Sequence, residues 1–88
     1  MEPRDEFADA LGAMLPRLRR FAFALSRHPA DADDLAALAI ERALRSRAQF
    51  VPGTRLDSWL FRITRNLWID EARSRQRRAA WEAPPEAG

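Results

Sequence analysis

Apolar side chains return at steps of three and four along the first third of the chain: Phe7, Leu11, Leu15, Leu18, Phe21 or Ala22, and Leu25. They share one face of an amphipathic helix, and the spacing predicts a helix from about Asp5 to Ser26. Pro16 falls inside it. Proline lacks an N–H and its ring crowds the preceding turn, so this helix is expected to kink or split in two near Ala13 to Pro16. Arg27-His28-Pro29-Ala30 breaks the period and reads as a turn. Asp31 then stands where an N-cap belongs, with Asp33 and Asp34 in the first turn, where carboxylates meet the positive end of a helix dipole. Leu35, Leu38 or Ala39, and Arg42 to Ala43 share one side of this second helix, with Ile40 and Leu44 beside them, and the pattern carries to about Ala48.

The stretch Gln49-Phe50-Val51-Pro52-Gly53-Thr54-Arg55-Leu56 interrupts the pattern with a Pro-Gly pair, the chemistry of a turn. Phe50 and Val51 are more apolar than a solvated connection requires. A third and longest helix begins near Asp57 or Ser58, either of which can cap it, and meets no breaker before about Arg78. Its core stripe is Trp59, Leu60, Ile63 and Leu67; Phe61 and Trp68 lie on another side with Arg65 and Ala72; Arg62, Asn66, Ile69 and Arg73 form a third stripe. Such a helix packs on the first two and keeps a side for a partner. Both tryptophans read as packing residues rather than as stacking platforms. The expected fold is all-α, a compact bundle of three to four helices.

Composition supports helix, with seventeen Ala against three Gly. Eighty-eight residues suffice for one core and no more. With no Cys and His28 as the single histidine, the chain has neither disulfides nor the ligands and nucleophiles of zinc, Cys or His chemistry. The Asp31, Asp33, Asp34 cluster reads as dipole chemistry rather than a metal site, and no Gly-rich phosphate loop occurs, so the sequence points to no enzyme, no metal and no cofactor. No apolar run approaches the roughly 20 residues of a membrane span, and the N-terminus lacks a signal core, so a cytoplasmic protein without membrane insertion is expected.

Charge is uneven. All fifteen basic residues are Arg and the formal net charge is +2, yet residues 61–78 carry six Arg against Asp70 and Glu71, a local +4. Guanidinium groups bind phosphate bidentately, so this helix is the natural place for a nucleic acid.

The stretch DADDLAALAIERALRSRAQFVPGTRLDSWLFRITRNLWIDEARSRQRR resembles region 2 of extracytoplasmic-function sigma factors, the compact members of the bacterial sigma-70 family. FADALGAMLPRLRRFAFAL is similar to region 2.1 and DADDLAALAIERAL to region 2.2. RLDSWLFRITRNLWIDEARSRQRR is similar to regions 2.3 and 2.4, through Trp59-Leu60-Phe61-Arg62-Ile63, Asn66 and Ile69-Asp70-Glu71. The resemblance implies a sigma-70 region 2 domain over residues 1–79 and the start of an interdomain linker over 80–88. A chain ending in APPEAG would stop short of a second helical domain, and so reads as a fragment.

What the resemblance implies about function is specific. The domain would bind core RNA polymerase through the β′ coiled coil and recognise and melt the −10 promoter element, holding the non-template strand. Phe50, Val51, Pro52, Gly53, Thr54 and Arg55, with Asn66, would surround a base flipped from that strand, and an amide can offer a base edge both a donor and an acceptor. Arg62, Arg73, Arg75, Arg77 and Arg78 would hold phosphates and fix register. Asp34, Leu35, Ala37, Leu38, Glu41 and Arg42 would form the clamp-binding surface. Ala37 and Leu38 stand where family members commonly carry a Gln-Glu pair. Two apolar residues on that surface leave a second reading open, a sigma-like interaction module that binds an anti-sigma factor without promoter DNA.

Overall fold

The computed structural model of the chain describes residues 4–82. Its elements are α1 (Glu6–Ala13), α2 (Leu15–Ser26), α3 (Pro29–Arg45), a short 3-10 turn (Arg47–Gln49) and α4 (Leu56–Glu82). The expected break in the first amphipathic segment falls at Met14, whose N–H returns to the last turn of α1, and Pro16 sits at the start of α2. There its missing N–H costs nothing, because the first turn of a helix has no internal acceptor for it.

The start of α3 differs from expectation. His28, in extended backbone, is the N-cap residue and Pro29 opens the helix, so Asp31 lies within the first turn rather than before it. Proline at the first helical position is pre-set for helical backbone, and it moves the start three residues upstream, from Asp31 to His28 as the N-cap. The Asp31 carboxylate is thereby free of capping and accepts from Arg75 at 3.2 Å. At the other end, α3 stops at Arg45, and α4 continues through Ala80–Glu82, residues expected to begin a linker. Ala79 and Ala80 favour helix, and the first breaker is Pro84. The remainder of the expected linker, 83–88, lies outside the described residues.

The core is built from small side chains. Ala22 of α2 and Ala32, Ala36, Ala39 and Ala43 of α3 are buried, together with Leu11, Leu18, Leu35 and Leu60. An alanine seam lets helix backbones approach closely, and Leu11, Leu18 and Leu60 are the largest side chains it encloses fully. Thr64 is also fully buried and donates its hydroxyl to the Leu60 carbonyl at 2.8 Å, so its polar atom is paired within the helix. Phe61, on a second side of α4, stacks on Phe21 of α2 with ring centroids 4.7 Å apart, and Arg17 lies 5.5 Å over the Phe61 ring. That side of α4 is packing surface. Trp59 and Trp68 are half-buried against the core, as expected of packing residues.

Candidate nucleic-acid interface

The loop between the 3-10 turn and α4 is held by its own chemistry. Val51-Pro52-Gly53-Thr54 forms a tight turn: Gly53 has φ +89°, Thr54 N–H donates to the Val51 carbonyl at 3.2 Å, and the Thr54 hydroxyl donates to the same oxygen at 2.6 Å. Proline followed by a glycine at positive φ is the sequence of a type II turn. The turn leaves Val51 61 % exposed while Phe50, one residue earlier, points inward against Phe7 and Trp59 at centroid distances of 5.8 and 5.3 Å.

Arg55 and Asp57 close the loop. The Arg55 guanidinium donates to both Asp57 carboxylate oxygens at 3.1 and 2.7 Å, Ser58 N–H donates to one of them at 2.7 Å, and Arg17 approaches to 3.5 Å. Arg55 above all, with the Ser58 N–H and Arg17, holds the Asp57 carboxyl at about 2 against the opposing effect of partial burial. A carboxyl depressed in the folded chain stabilises it above the ordinary carboxylate value, and that contribution is lost as pH falls toward 2. Asp57→Asn is therefore expected to be less stable than the parent chain at neutral pH. Urea unfolding at a series of pH values should show the gap closing between about pH 4 and pH 2; a gap independent of pH would show that the effect does not come from the carboxylate's charge.

The residues expected to surround a base divide between two clefts. Val51, Thr54 and Arg55 line one of about 460 Å³ together with Gln49, Ser58, Trp59 and Arg62. Asn66 lines a smaller neighbour of about 160 Å³ with Arg42, Ser46, Gln49, Trp59, Ile63, Leu67 and Asp70. Gln49 and Trp59 are the wall common to both. Pro52 and Gly53 shape the turn without lining either cleft, and Phe50 supports it from the aromatic cluster. Gln49 and Ser58 were not expected at a cleft: Gln49 read only as the start of the loop and Ser58 only as a candidate cap, and neither reading says which way the side chain faces.

The arginines expected to meet phosphate also separate. Arg62, Arg73 and Arg77 are exposed and make no ion pair among the described residues. Arg78 approaches Glu71 at 3.6 Å. Arg75 is engaged at 3.2 Å with Asp31 and 3.1 Å with Glu71, and sits 5.9 Å over the Trp68 ring, so it ties α4 to the first turn of α3.

On α3, Asp34, Ala37, Leu38, Glu41 and Arg42 are exposed, Leu38 by 53 %. Leu35, expected on the clamp-binding surface, is different: at 5 % exposure it belongs to the core and does not present its side chain at the surface. Leu35, Leu38, Leu67 and Trp68 line a groove of about 380 Å³ between α3 and α4, which Asp31, Asp34, Asp70 and Glu71 make acidic and Arg42 and Arg75 partly offset. Among the described residues no cluster of His, Cys, Asp or Glu is arranged to hold a metal ion, and no helix is long and apolar enough to cross a membrane.

This arrangement has counterparts. The sigma-70 region 2 family matches residues 11–78. The ECF RNA polymerase sigma factor EcfG of Rhodopseudomonas palustris is 42 % identical over 73 residues, which cover 83 % of this chain and 40 % of EcfG. The ECF RNA polymerase sigma factor SigE of Mycolicibacterium smegmatis is 43 % identical over 70 residues, covering 80 % of this chain and 26 % of SigE. In three dimensions the chain is similar to the sigma factor RpoE from Bartonella quintana, solved with the anti-sigma factor NepR: the TM-score is 0.83 at 30 % identity, over 94 % of this chain and 58 % of RpoE. The chain thus spans less than half the length of these curated relatives.

Proposed function

The chain belongs to the sigma-70 family as a region 2 domain of the extracytoplasmic-function kind, and from that premise we propose that it binds core RNA polymerase and captures the −10 promoter element in transcription initiation. The observation that carries this reading is the loop cleft. Val51, Thr54, Arg55, Ser58 and Arg62 surround an open space beside the segment of highest positive charge. Extruding a base costs a few kcal/mol of stacking, and a cleft offering an apolar wall with hydroxyl and guanidinium partners offsets it. Arg62, Arg73 and Arg77 hold the strand's phosphates, and Asn66, in the adjoining cleft, meets a second base. The exposed α3 face of Asp34, Ala37, Leu38, Glu41 and Arg42 docks on the β′ coiled coil of the polymerase. The role is that of a binding module rather than an enzyme, and it places the protein in the cytoplasm.

Titration of the chain with single-stranded oligonucleotides carrying candidate −10 sequences, followed by Trp fluorescence, tests the reading. Affinity should depend on base identity at one or two positions, and Asn66→Ala should reduce that discrimination by about 1–3 kcal/mol. Binding indifferent to every base would overturn the assignment.

The exposed Leu38 favours a second partner at the α3–α4 groove, an anti-sigma factor, as RpoE was solved with NepR. Binding to an anti-sigma factor without binding to the β′ coiled coil would make the chain an interaction module alone.

A further inference from the structure

Helix α1 contributes one buried side chain to the core, Leu11. Its start, Asp5 and Phe7, reaches the 3-10 turn and the loop. Asp5, the N-cap of α1, accepts from Arg47 at 2.9 Å through each of its two oxygens, joining positions 42 residues apart. The Arg47 guanidinium also lies 4.9 Å over the Phe7 ring. Phe7 in turn meets Trp59 edge-on at 5.9 Å and Phe50 at 5.8 Å.

Each of these contacts ends on a residue that shapes the clefts. Arg47 belongs to the same 3-10 turn as Gln49, and Gln49 and Trp59 are the wall common to both clefts. Phe50 is the residue from which the Val51–Thr54 turn departs. One Arg47 nitrogen, Nη2, is shared between the two carboxylate oxygens, which ties the 3-10 turn to the start of α1, and the aromatic triad fixes the ring planes it includes. Asp5 and Phe7 both precede the span matched to the family, which begins at residue 11.

We propose that Asp5 and Phe7 are positioning residues of the base-reading site, a latch from α1 that holds the 3-10 turn and the loop 50–55 in the shape that receives a base. The proposal rests on the reading of that loop as the base-capturing element. It makes α1 a determinant of promoter discrimination although neither residue lines a cleft.

The test uses the 88-residue chain and its Phe7→Ala, Phe7→Tyr and Asp5→Asn variants. Asn is as good an N-cap as Asp, so Asp5→Asn keeps the cap on Ala8 N–H and weakens only the hold on Arg47. Polarisation of labelled single-stranded oligonucleotides gives the affinity ratio between the preferred base and the other three at the captured position. Phe7→Ala should lower that ratio about tenfold with the salt dependence unchanged. Phe7→Tyr should restore it, and Asp5→Asn should shift it in the same direction as Phe7→Ala. Amide exchange should quicken at Phe50–Arg55 while the buried turns of α3 stay protected.

If the parent chain discriminates and both Phe7→Ala and Asp5→Asn discriminate equally well, the latch is overturned and the promoter reading stands. If the parent chain shows no base preference, the promoter reading fails and the latch with it. Should Phe7→Ala lose protection throughout the bundle, Asp5→Asn decides: an unchanged ratio overturns the proposal.

Discussion

Leu60→Ala is expected to remove about 2–5 kcal/mol of folding stability, a large part of what a domain of this size holds. Leu60 is fully buried on α4, and the helices it meets bring mostly methyl groups to the core: Ala22, Ala32, Ala36, Ala39 and Ala43. The alanines cannot reach into the space that Leu60 would vacate, and Leu11, Leu18 and Leu35 are already buried in the same core, so filling it would require the helices to shift. The cavity therefore persists, and the cost includes both the lost transfer of the isobutyl group and the empty volume. Thermal and urea unfolding followed by circular dichroism should show a midpoint lower by roughly 10–30 °C. Leu38→Ala is the control, since Leu38 is 53 % exposed, and it should stay within about 1 kcal/mol of the parent chain. Comparable losses from the two substitutions would contradict the placement of the core.

Much of this arrangement was legible in the sequence because helical periodicity reports directly on burial. Leu11, Leu18, Leu35 and Leu60 lie on predicted apolar stripes and are core residues, and Pro16 marks the division of the first segment to within two residues of Met14. What periodicity could not supply was direction between elements. Phe61 and Trp68 occupied a second apolar side of α4 that suggested a partner, and Phe21 turned out to be the partner of the first. Asp31 looked like a cap because acids at helix starts usually serve the dipole, but Pro29 took the first position and left the carboxylate to Arg75. Arg75 then ceased to resemble its neighbours. Six arginines in one segment are identical in composition, and their division into paired and unpaired sets depends on which acids tertiary packing brings near.

The loop illustrates the same boundary. Pro52-Gly53 announced a turn, and Phe50 and Val51 announced that it was more than a connection; the structure gives them opposite roles, Phe50 inward and Val51 outward. Adjacent residues in an irregular segment have no period from which to assign a face. Nor does any local signal pair Asp5 with Arg47, because the contact exists only once α1 has folded back beside the 3-10 turn.

The division among the arginines leads to the second large effect. Arg62, Arg73 and Arg77 are exposed and unpaired among the described residues, so each can condense on a phosphate without first breaking an ion pair. Every phosphate neutralised on a single strand contributes about 0.7 to the slope of log affinity against log salt. Replacing all three by Ala should flatten that slope by about 2, and at about 0.1 M salt the same counterion release amounts to roughly a hundredfold in affinity. The loss should be equal for preferred and altered sequences, since phosphate contacts carry register and not identity. Arg75→Ala should behave otherwise. Its guanidinium is already shared between Asp31 and Glu71, so its removal should lower the unfolding midpoint more than it changes the salt slope. Oligonucleotide titrations at four or more salt concentrations, run beside thermal melts, separate the two behaviours. A triple variant with an unchanged slope would move the strand off the Arg62–Arg77 side of α4, and an Arg75→Ala slope change as large as one-third of the triple's would return Arg75 to the phosphate-binding set.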